Sequence, residues 1–408
     1  MRFVSRKVSL ALIGAAWLGA LAWLTLTPQG VGGEDSGLPT VSLCLICGVR
    51  GTADAALNVL LFAPLGLLFA ASGKRVLQAL GAGLLLSSSI ELAQLFIPGR
   101  YSSLGDIFSN TSGAALGALL WSTHKHWLPG GALHINRLRV LSVVVPPVVV
   151  LAFGWLMQPI WPPEPYWGQL SADLGFMTEY DGEVVEAHLD SVPIPSGRIR
   201  DHRDLRKMLA GDWDLAATVV KGRPPRSLAP IISVYNRREE EVVLLGALRQ
   251  DLVYREWSRA RSFRLDQSDL RLPGAMATAS VGDTMRLSVE RRGPSRCLVS
   301  EAIRACPGFT PGRVWSLLFY LEGPPEWVRR SLDALCMFVL FFPVGFWSRR
   351  GKQVAGLGVV TGILIGLAVA ATRLVAPPWT EVGGAVLGLI VGYASRRLAP
   401  MPSPAVRR

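Results

Sequence analysis

The feature that most constrains this chain is a series of apolar stretches that approach or reach membrane-spanning length. A bilayer core requires about 20 apolar residues in a helix. Eight stretches fit this pattern, with borders at 8–26, 53–71, 76–97, 107–122, 138–157, 332–347, 354–371 and 382–394. They predict a polytopic α-helical membrane protein with about eight transmembrane helices. Its first predicted partner is the lipid bilayer.

The basic residues predict how these helices are oriented. The net charge of +12 lies almost entirely outside residues 158–330. Loops of membrane proteins that carry an excess of Lys and Arg face the cytoplasm, and Lys74, Arg75, Lys125, Arg349 and Arg350 all fall on one predicted side. Both termini are therefore predicted to be cytoplasmic and residues 158–330 extracytoplasmic. The same rule explains the basic composition without a nucleic-acid partner.

The chain contains an internal repeat, found by comparing it with itself. Asp54-Ala-Ala-Leu-Asn58 precedes a Leu-Phe-Ala-Pro-Leu-Gly motif, and Asp333-Ala-Leu-Cys-Met337 precedes Phe-Phe-Pro-Val-Gly at the same spacing. Asn58 is replaced by Met337, so the first copy is predicted to carry the chemistry. The substitution Glu381→Gln in the second copy is predicted to be silent.

Each copy ends in a helix rich in small residues, which lets two membrane helices approach closely. The sequence comparison aligns Gly113 with Gly384 and Gly117 with Gly388. The predicted domains are a five-helix membrane domain at 1–157, an extracytoplasmic domain at 158–330, a degenerate three-helix repeat at 331–398 and a cytoplasmic tail at 399–408.

Polar residues follow helical spacing in three spans of the first copy. An ionisable residue inside a span is costly unless it is paired or hydrated, so its first interpretation is functional. The predicted orientation puts all three polar stripes in the outer leaflet. The candidate ligand site comprises Asp54, Asn58, Glu91, Gln94, Arg100, Tyr101, Asp106 and Asn110. The alternative is hydrogen bonding between helices, with Glu91 paired to Arg100.

Three blocks in the first copy carry a family resemblance. They are Asn58 with residues 61–66, Glu91-Leu-Ala-Gln94 with Gly99-Arg100, and Asp106 to Asn110 with Gly113 and Gly117. Residues 8–123 resemble the VanZ-like family of bacterial membrane proteins. The resemblance implies a place in the bacterial inner membrane and a link to tolerance of glycopeptide antibiotics of the teicoplanin type. It does not imply a reaction.

The central segment is predicted to be an all-β sandwich, because short β-like runs alternate with turns. The runs are 213–220, 229–235, 241–247, 251–257, 285–290 and 315–321. Their order resembles a laminin-G or concanavalin A-like jelly roll, whose relatives often bind glycans. Asp181, Asp212 and Asp214 are either calcium ligands or solvated turn carboxylates.

The cysteines predict disulfides outside the cell, where such bonds persist. Cys297 and Cys306 bracket a short loop and are predicted to be bridged. Cys44 and Cys47 form either a local disulfide, a redox pair or two unpaired thiols. Cys336 is predicted to pack within a span. No metal site and no cofactor is predicted.

Three functions fit these patterns. The first is an envelope protein without enzymatic activity that binds cell-wall glycan or a lipid-linked saccharide. The second is an enzyme or carrier that acts on a lipid-linked cell-wall intermediate through Glu91. The third is a transporter that uses the duplicated halves, which is disfavoured because the polar residues occupy one copy only.

Overall fold

The computed structural model describes residues 2–28, 41–46, 48–127, 132–171, 177–200, 202–320 and 324–398. The helices in these residues are α1 Arg2–Leu26, α2 Gly51–Ala71, α3 Val76–Gln94, α4 Leu104–Trp127, α5 Ala132–Leu156, α6 His202–Ala210, α7 Arg259–Ser262, α8 Glu326–Phe346, α9 Gly351–Thr372 and α10 Trp379–Leu398. Two 3₁₀ helices span Ala275–Thr278 and Pro311–Leu317.

The strands of the described residues are short. They are β1 Val41–Ser42, β2 Ser102–Ser103, β3 Tyr166–Leu170, β4 Glu183–Leu189, β5 Val192–Pro193, β6 Gly197–Arg198, β7 Trp213–Val220, β8 Ala229–Asn236, β9 Glu241–Leu248, β10 Asp251–Glu256, β11 Leu270–Leu272, β12 Thr284–Arg292, β13 Ser295–Ser300 and β14 Arg304–Ala305. The chain forms two compact units, and Arg139 begins the second.

The protein is a membrane protein. Five helical segments of the described residues are long and apolar enough to cross a bilayer, and they are Val8–Leu26, Gly51–Ala71, Val76–Gln94, Ile135–Leu156 and Gly351–Thr372. Three further predicted spans form the helices α4, α8 and α10, which carry more polar residues.

The first unit contains α1 to α4, together with the short segment Phe263–Asp266. Leu21 of α1, Phe62 of α2 and Ile90 of α3 are buried against one another. The backbones of α2 and α4 are in contact at Gly117. A Cβ atom at this position would lie 1.8 Å from the carbonyl oxygen of Ala63. The small residues thus serve the close packing that the sequence predicts.

The second unit contains a helix bundle of the same design. Val150 of α5, Phe341 of α8 and Ile365 of α9 are buried in one cluster, as the three equivalent side chains are in the first unit. The sequence-based division grouped α5 with the four helices before it. In the structure α5 packs on the second copy instead, so each copy consists of four helices.

The register of the repeat differs from the sequence alignment by one helical turn. A Cβ atom on Gly392 would lie 2.2 Å from the carbonyl oxygen of Phe342. Phe342 occupies the motif position in the second copy that Ala63 occupies in the first. Gly117 is therefore equivalent to Gly392, whereas the predicted partner Gly388 is equivalent to Gly113. The sequence alignment was wrong because small residues recur every four positions in α10, at 384, 388 and 392.

The second unit also contains two antiparallel sheets of six strands each. Their orders are β11-β10-β9-β8-β3-β6 and β14-β13-β12-β7-β4-β5. Trp213 and Leu215 of β7 alternate with outward-facing residues and join Leu245 and Leu252 of the other sheet in one buried core. The predicted β-domain is confirmed. The predicted strand 315–321 is wrong, since its first half lies in the 3₁₀ helix Pro311–Leu317.

Among the described residues, three cysteines are disulfide-bonded and one is a free thiol. Cys297 of β13 and Cys306, which follows β14, form a disulfide with a separation of nine residues. Cys44 is disulfide-bonded, while Cys47 lies outside the described residues. Cys336 of α8 is a free thiol and is partly buried.

A buried charge network joins the β-domain to α8 within the second unit. Asp269 pairs with Arg271 at 3.1 Å and Arg329 at 3.7 Å, and the hydroxyl of Tyr320 donates to it at 2.6 Å. Burial by itself would raise the pKa of Asp269, but the neighbouring arginines, Arg271 foremost, hold this pKa below its ordinary value. The charged carboxylate therefore stabilises the fold.

This network predicts a dependence of stability on pH. Because the pKa of Asp269 is lower in the folded than in the unfolded chain, its contribution is complete above the ordinary pKa of about 3.9 and is lost as the pH falls through the folded value. We expect the free energy of unfolding to decline below about pH 4 and this decline to be smaller in Asp269→Asn. Tryptophan fluorescence of the detergent-purified protein measures both. An unchanged acid profile in the variant would contradict the assignment.

Candidate functional site

Three acidic side chains of the first unit come together across α2, α3 and α4. We call Asp54, Asn58, Glu91 and Asp106 the first-copy acidic cluster. The amide of Asn58 donates to Asp106 at 2.7 Å, and the backbone N–H of Ser103 donates to Glu91 at 2.7 Å. Asp106 is close enough to both Asp54 and Glu91 for the carboxylates to repel each other.

The cluster is graded from buried to open. Glu91 is only 3% exposed, whereas 54% of the Asp54 side chain is accessible. Neighbouring carboxylates with only partial compensation favour a cation or a shared proton, and here Arg50 lies 3.9 Å from Asp54. Within the described residues, no group of three or more His, Cys, Asp or Glu side chains is arranged to hold a metal ion.

Four predicted site residues lie elsewhere. Gln94 donates to the carbonyl of Thr25 at 3.0 Å, and Arg100 donates to the carbonyls of Leu24 at 2.7 Å and Thr27 at 3.1 Å. Both side chains therefore hold the end of α1, and the alternative in which Arg100 pairs with Glu91 is not what the structure shows. Tyr101 is exposed.

Asn110 lies one helical turn after Asp106 in α4 and is buried. Its amide donates to the hydroxyl of Ser87 at 3.0 Å, while its Oδ1 atom has no hydrogen-bond partner among the described residues. An unsatisfied buried acceptor is unfavourable. Asn110 thus extends the polar contacts between α3 and α4 by one helical turn beyond Asp106.

The start of α2 is held by a segment that sequence reasoning did not connect with it. The carbonyl oxygen of Arg264 accepts hydrogen bonds from the N–H groups of Thr52 and Ala53, both at 3.2 Å. Arg50 pairs with Asp266 at 3.0 Å and lies 3.9 Å from Asp54. The contacts with Arg264 and Asp266 follow no local pattern, because more than 200 residues separate these partners.

The second copy retains acidic residues at the equivalent positions. Asp333 corresponds to Asp54, and the corrected register makes Glu381 the counterpart of Asp106. Arg313 binds Asp333 through two hydrogen bonds of 2.9 and 2.8 Å, and the indole N–H of Trp315 donates to the same carboxylate at 2.7 Å. Asp333 is therefore fully engaged by its own chain.

Glu381 is completely buried and accepts a hydrogen bond from the backbone N–H of Gly312 at 2.8 Å. This contact gives the Glu381 carboxylate a structural role, and the silence of Glu381→Gln stays a prediction. Its partner lies in the 3₁₀ helix Pro311–Leu317, a segment that no sequence pattern placed near Glu381. The second copy thus also contains buried acids. They bind residues 312–315 at the end of the β-domain.

The β-domain carries a polar cleft on the outer face of its second sheet. The cleft encloses about 380 Å³. Glu186 of β4 and Arg286 of β12 flank Thr218 of β7 in register, and the small side chain of Ala216 leaves room at its floor. The lining residues are Glu186, His188, Asp190, Asp214, Ala216, Ala217, Thr218 and Arg286.

The three candidate calcium ligands have separate partners. Asp181 pairs with Arg223 at 2.7 Å, and this hydrogen bond lowers the pKa of Asp181. Asp214 pairs with Arg292 at 2.7 Å, and Asp212 accepts from the N–H of Gly293 at 2.6 Å. These contacts favour the turn-carboxylate interpretation.

The comparisons with known proteins add one finding to this geometry. Residues 15–125 match the VanZ/LLP1 family model. The N-terminal part is VanZ-like. The match extends from α1 into α4 and so contains the complete first-copy acidic cluster. No curated protein and no solved structure matches the chain.

Proposed function

We propose that this VanZ-like membrane protein binds a glycan of the bacterial cell envelope, either in the wall or linked to a lipid. The observation that carries the proposal is the polar cleft of the β-domain. Its acids, imidazole, hydroxyl and guanidinium alternate across three hydrogen-bonded strands. A polyhydroxylated ligand needs such a dense array of donors and acceptors, and the small floor residue leaves space for a sugar ring.

The proposal includes the finer architecture. It comprises eight transmembrane helices in two VanZ-like halves, both termini in the cytoplasm, and an extracytoplasmic jelly roll of the laminin-G or concanavalin A type. The disulfide between Cys297 and Cys306 supports the external location, because disulfides persist in oxidising compartments. The proposed link to glycopeptide tolerance rests on the VanZ-like resemblance alone.

Binding of purified peptidoglycan fragments to the full-length protein in detergent tests the proposal. The double variant His188→Ala/Arg286→Ala is expected to bind at least about tenfold more weakly, because it removes charged or polar hydrogen bonds worth about 1–3 kcal/mol. Arg198→Ala is the matched control, since Arg198 is exposed on the other sheet. Equal binding by the wild type and the double variant would remove the cleft from the function.

A second candidate is an enzyme or carrier that acts on a lipid-linked cell-wall intermediate. The observation that favours it is the proximity of Asp54, Asp106 and Glu91. In this proposal the cluster lies in the outer leaflet and Glu91 holds or transfers a proton. Neighbouring carboxylates can share one proton, which provides an acid and a base side by side.

A further inference from the structure

A second cavity of about 380 Å³ lies within the second unit, where two candidate spans meet the β-domain. Its walls include Met157 just beyond α5, and Thr372 and Arg373 at the end of α9. The remaining wall consists of Glu256 and the β12–β13 hairpin. Because both spans end at this cavity, the cavity lies at the depth at which lipid phosphates are found.

The lining is rich in arginine. Arg291, Arg296 and Arg373 face a single acid, Glu256. Arg296 already pairs with Glu256 at 2.5 Å, and Glu256 also accepts from the hydroxyl of Tyr254 at 3.0 Å. The charge of Glu256 is therefore compensated, and the other two guanidiniums remain as net positive charge.

The two remaining arginines lack a carboxylate partner within ion-pair distance in the described part of the chain. Arg291 donates to the neutral carbonyls of Leu209 at 2.5 Å and Gly293 at 3.3 Å. Burial, followed by repulsion from Arg296, lowers the pKa of Arg291. Glu256 and Asp212 attract the Arg291 guanidinium, but more weakly than burial and Arg296 oppose its charge. The Nε atom of Arg296 is also buried without a hydrogen-bond partner.

Backbone hydrogen bonds connect the segments that line the cavity. Ile160 after α5 donates its N–H to the carbonyl of Trp257 at 2.9 Å, and Val375 after α9 donates to that of Phe309 at 2.9 Å. At the helix ends, a Cβ atom on Gly154 would lie 2.2 Å from the hydroxyl of Thr372. The end of each span is thus tied to the β-domain or to its neighbour.

We infer that this cavity binds a phosphate group, held by Arg291 and Arg373 at the membrane surface, beside the Arg296–Glu256 ion pair. Guanidinium groups bind phosphate oxygens through paired, charge-assisted hydrogen bonds, and basic pockets beside transmembrane helices bind anionic headgroups. The site is separate from the glycan cleft and does not depend on it. A lipid headgroup and free phosphate share this chemistry.

Lipid affinity of the full-length protein is the measurement that tests the site. Phosphatidylglycerol is titrated into detergent-solubilised protein, with phosphatidylcholine as the neutral-lipid reference and inorganic phosphate as the free anion. We expect preferential binding of phosphatidylglycerol that weakens with salt. Arg373→Asn is expected to weaken it about tenfold, whereas Arg373→Lys retains most of it.

Asparagine is the appropriate replacement, because Arg373 has a left-handed backbone with φ of 63° and Asn tolerates this conformation. Arg198→Asn serves as the control for loss of an exposed charge. Competition by inorganic phosphate would identify a free-anion site, and its failure a headgroup site, and both outcomes support the inference. Equal affinity of the wild type and Arg373→Asn for phosphatidylglycerol would overturn it, whatever the result for peptidoglycan.

Discussion

Asp333→Asn is expected to lower the free energy of unfolding by about 3–5 kcal/mol. The Asp333 side chain is 5% exposed and that of Arg313 is 13% exposed, so the substitution leaves a buried guanidinium without its anion. It also weakens the bond from Trp315. Thermal unfolding of detergent-purified protein measures the effect, with protein abundance in membranes as a second readout.

Asp204→Asn is the matched control for this prediction. Asp204 pairs with Lys207 at 3.0 Å on the surface, where an ion pair contributes less than about 1 kcal/mol. The double variant Asp333→Asn/Arg313→Met is expected to recover part of the loss, because it removes the stranded charge. If Asp333→Asn were no more destabilised than Asp204→Asn, the second copy would not depend on its acids.

If Glu91 transfers a proton or binds a cation, Glu91→Gln is expected to abolish any envelope or glycopeptide-tolerance phenotype while leaving the protein folded. An amide oxygen still accepts the hydrogen bond from Ser103, so packing is preserved. The substitution removes the negative charge and the titrating proton, on which cation binding or proton transfer depends. The measurement is growth under glycopeptide challenge at matched protein abundance, because a degraded membrane protein mimics lost activity.

Glu183→Gln provides the control for this experiment, since Glu183 is exposed in β4 of the β-domain. It should grow like the wild type. A Glu91→Gln strain with full tolerance at wild-type abundance would show that the first-copy acidic cluster only holds helices together. The phenotype would then have to come from the glycan cleft.

Much of the helical architecture could be predicted from composition and periodicity. Long apolar runs identified the helices, and strands such as β7 emerged because Trp213 to Val220 alternates between buried and solvent-facing residues. Other strands escaped. The ladder of β4 is interrupted by an irregularity between Val184 and Glu186, and β5, β6 and β14 are only two residues long. Such segments are strands only because a neighbour pairs with them.

The candidate site was predicted in part, and the misses have one physical cause. Residues within one helix turn could be grouped by spacing, so Asp54 with Asn58 and Asp106 with Asn110 were identifiable. Contacts such as Arg313 with Asp333 depend on the tertiary structure, because the two residues lie in different elements. Glu381 is a second example, since its partner is a backbone N–H, which residue type does not reveal.

The two-residue strands have a consequence for how the β-domain meets other molecules. The edges of its sheets are β6, β11, β5 and β14, none of which exceeds three residues, and β5 includes Pro193. An incoming strand needs a row of free N–H and C=O groups, and strands of two or three residues present too few. Because β5 pairs only with His188 and Leu189, the start of β4 is the longer open margin. The four short edge strands therefore offer little to edge-to-edge pairing between copies, and the sheet faces present the larger surfaces.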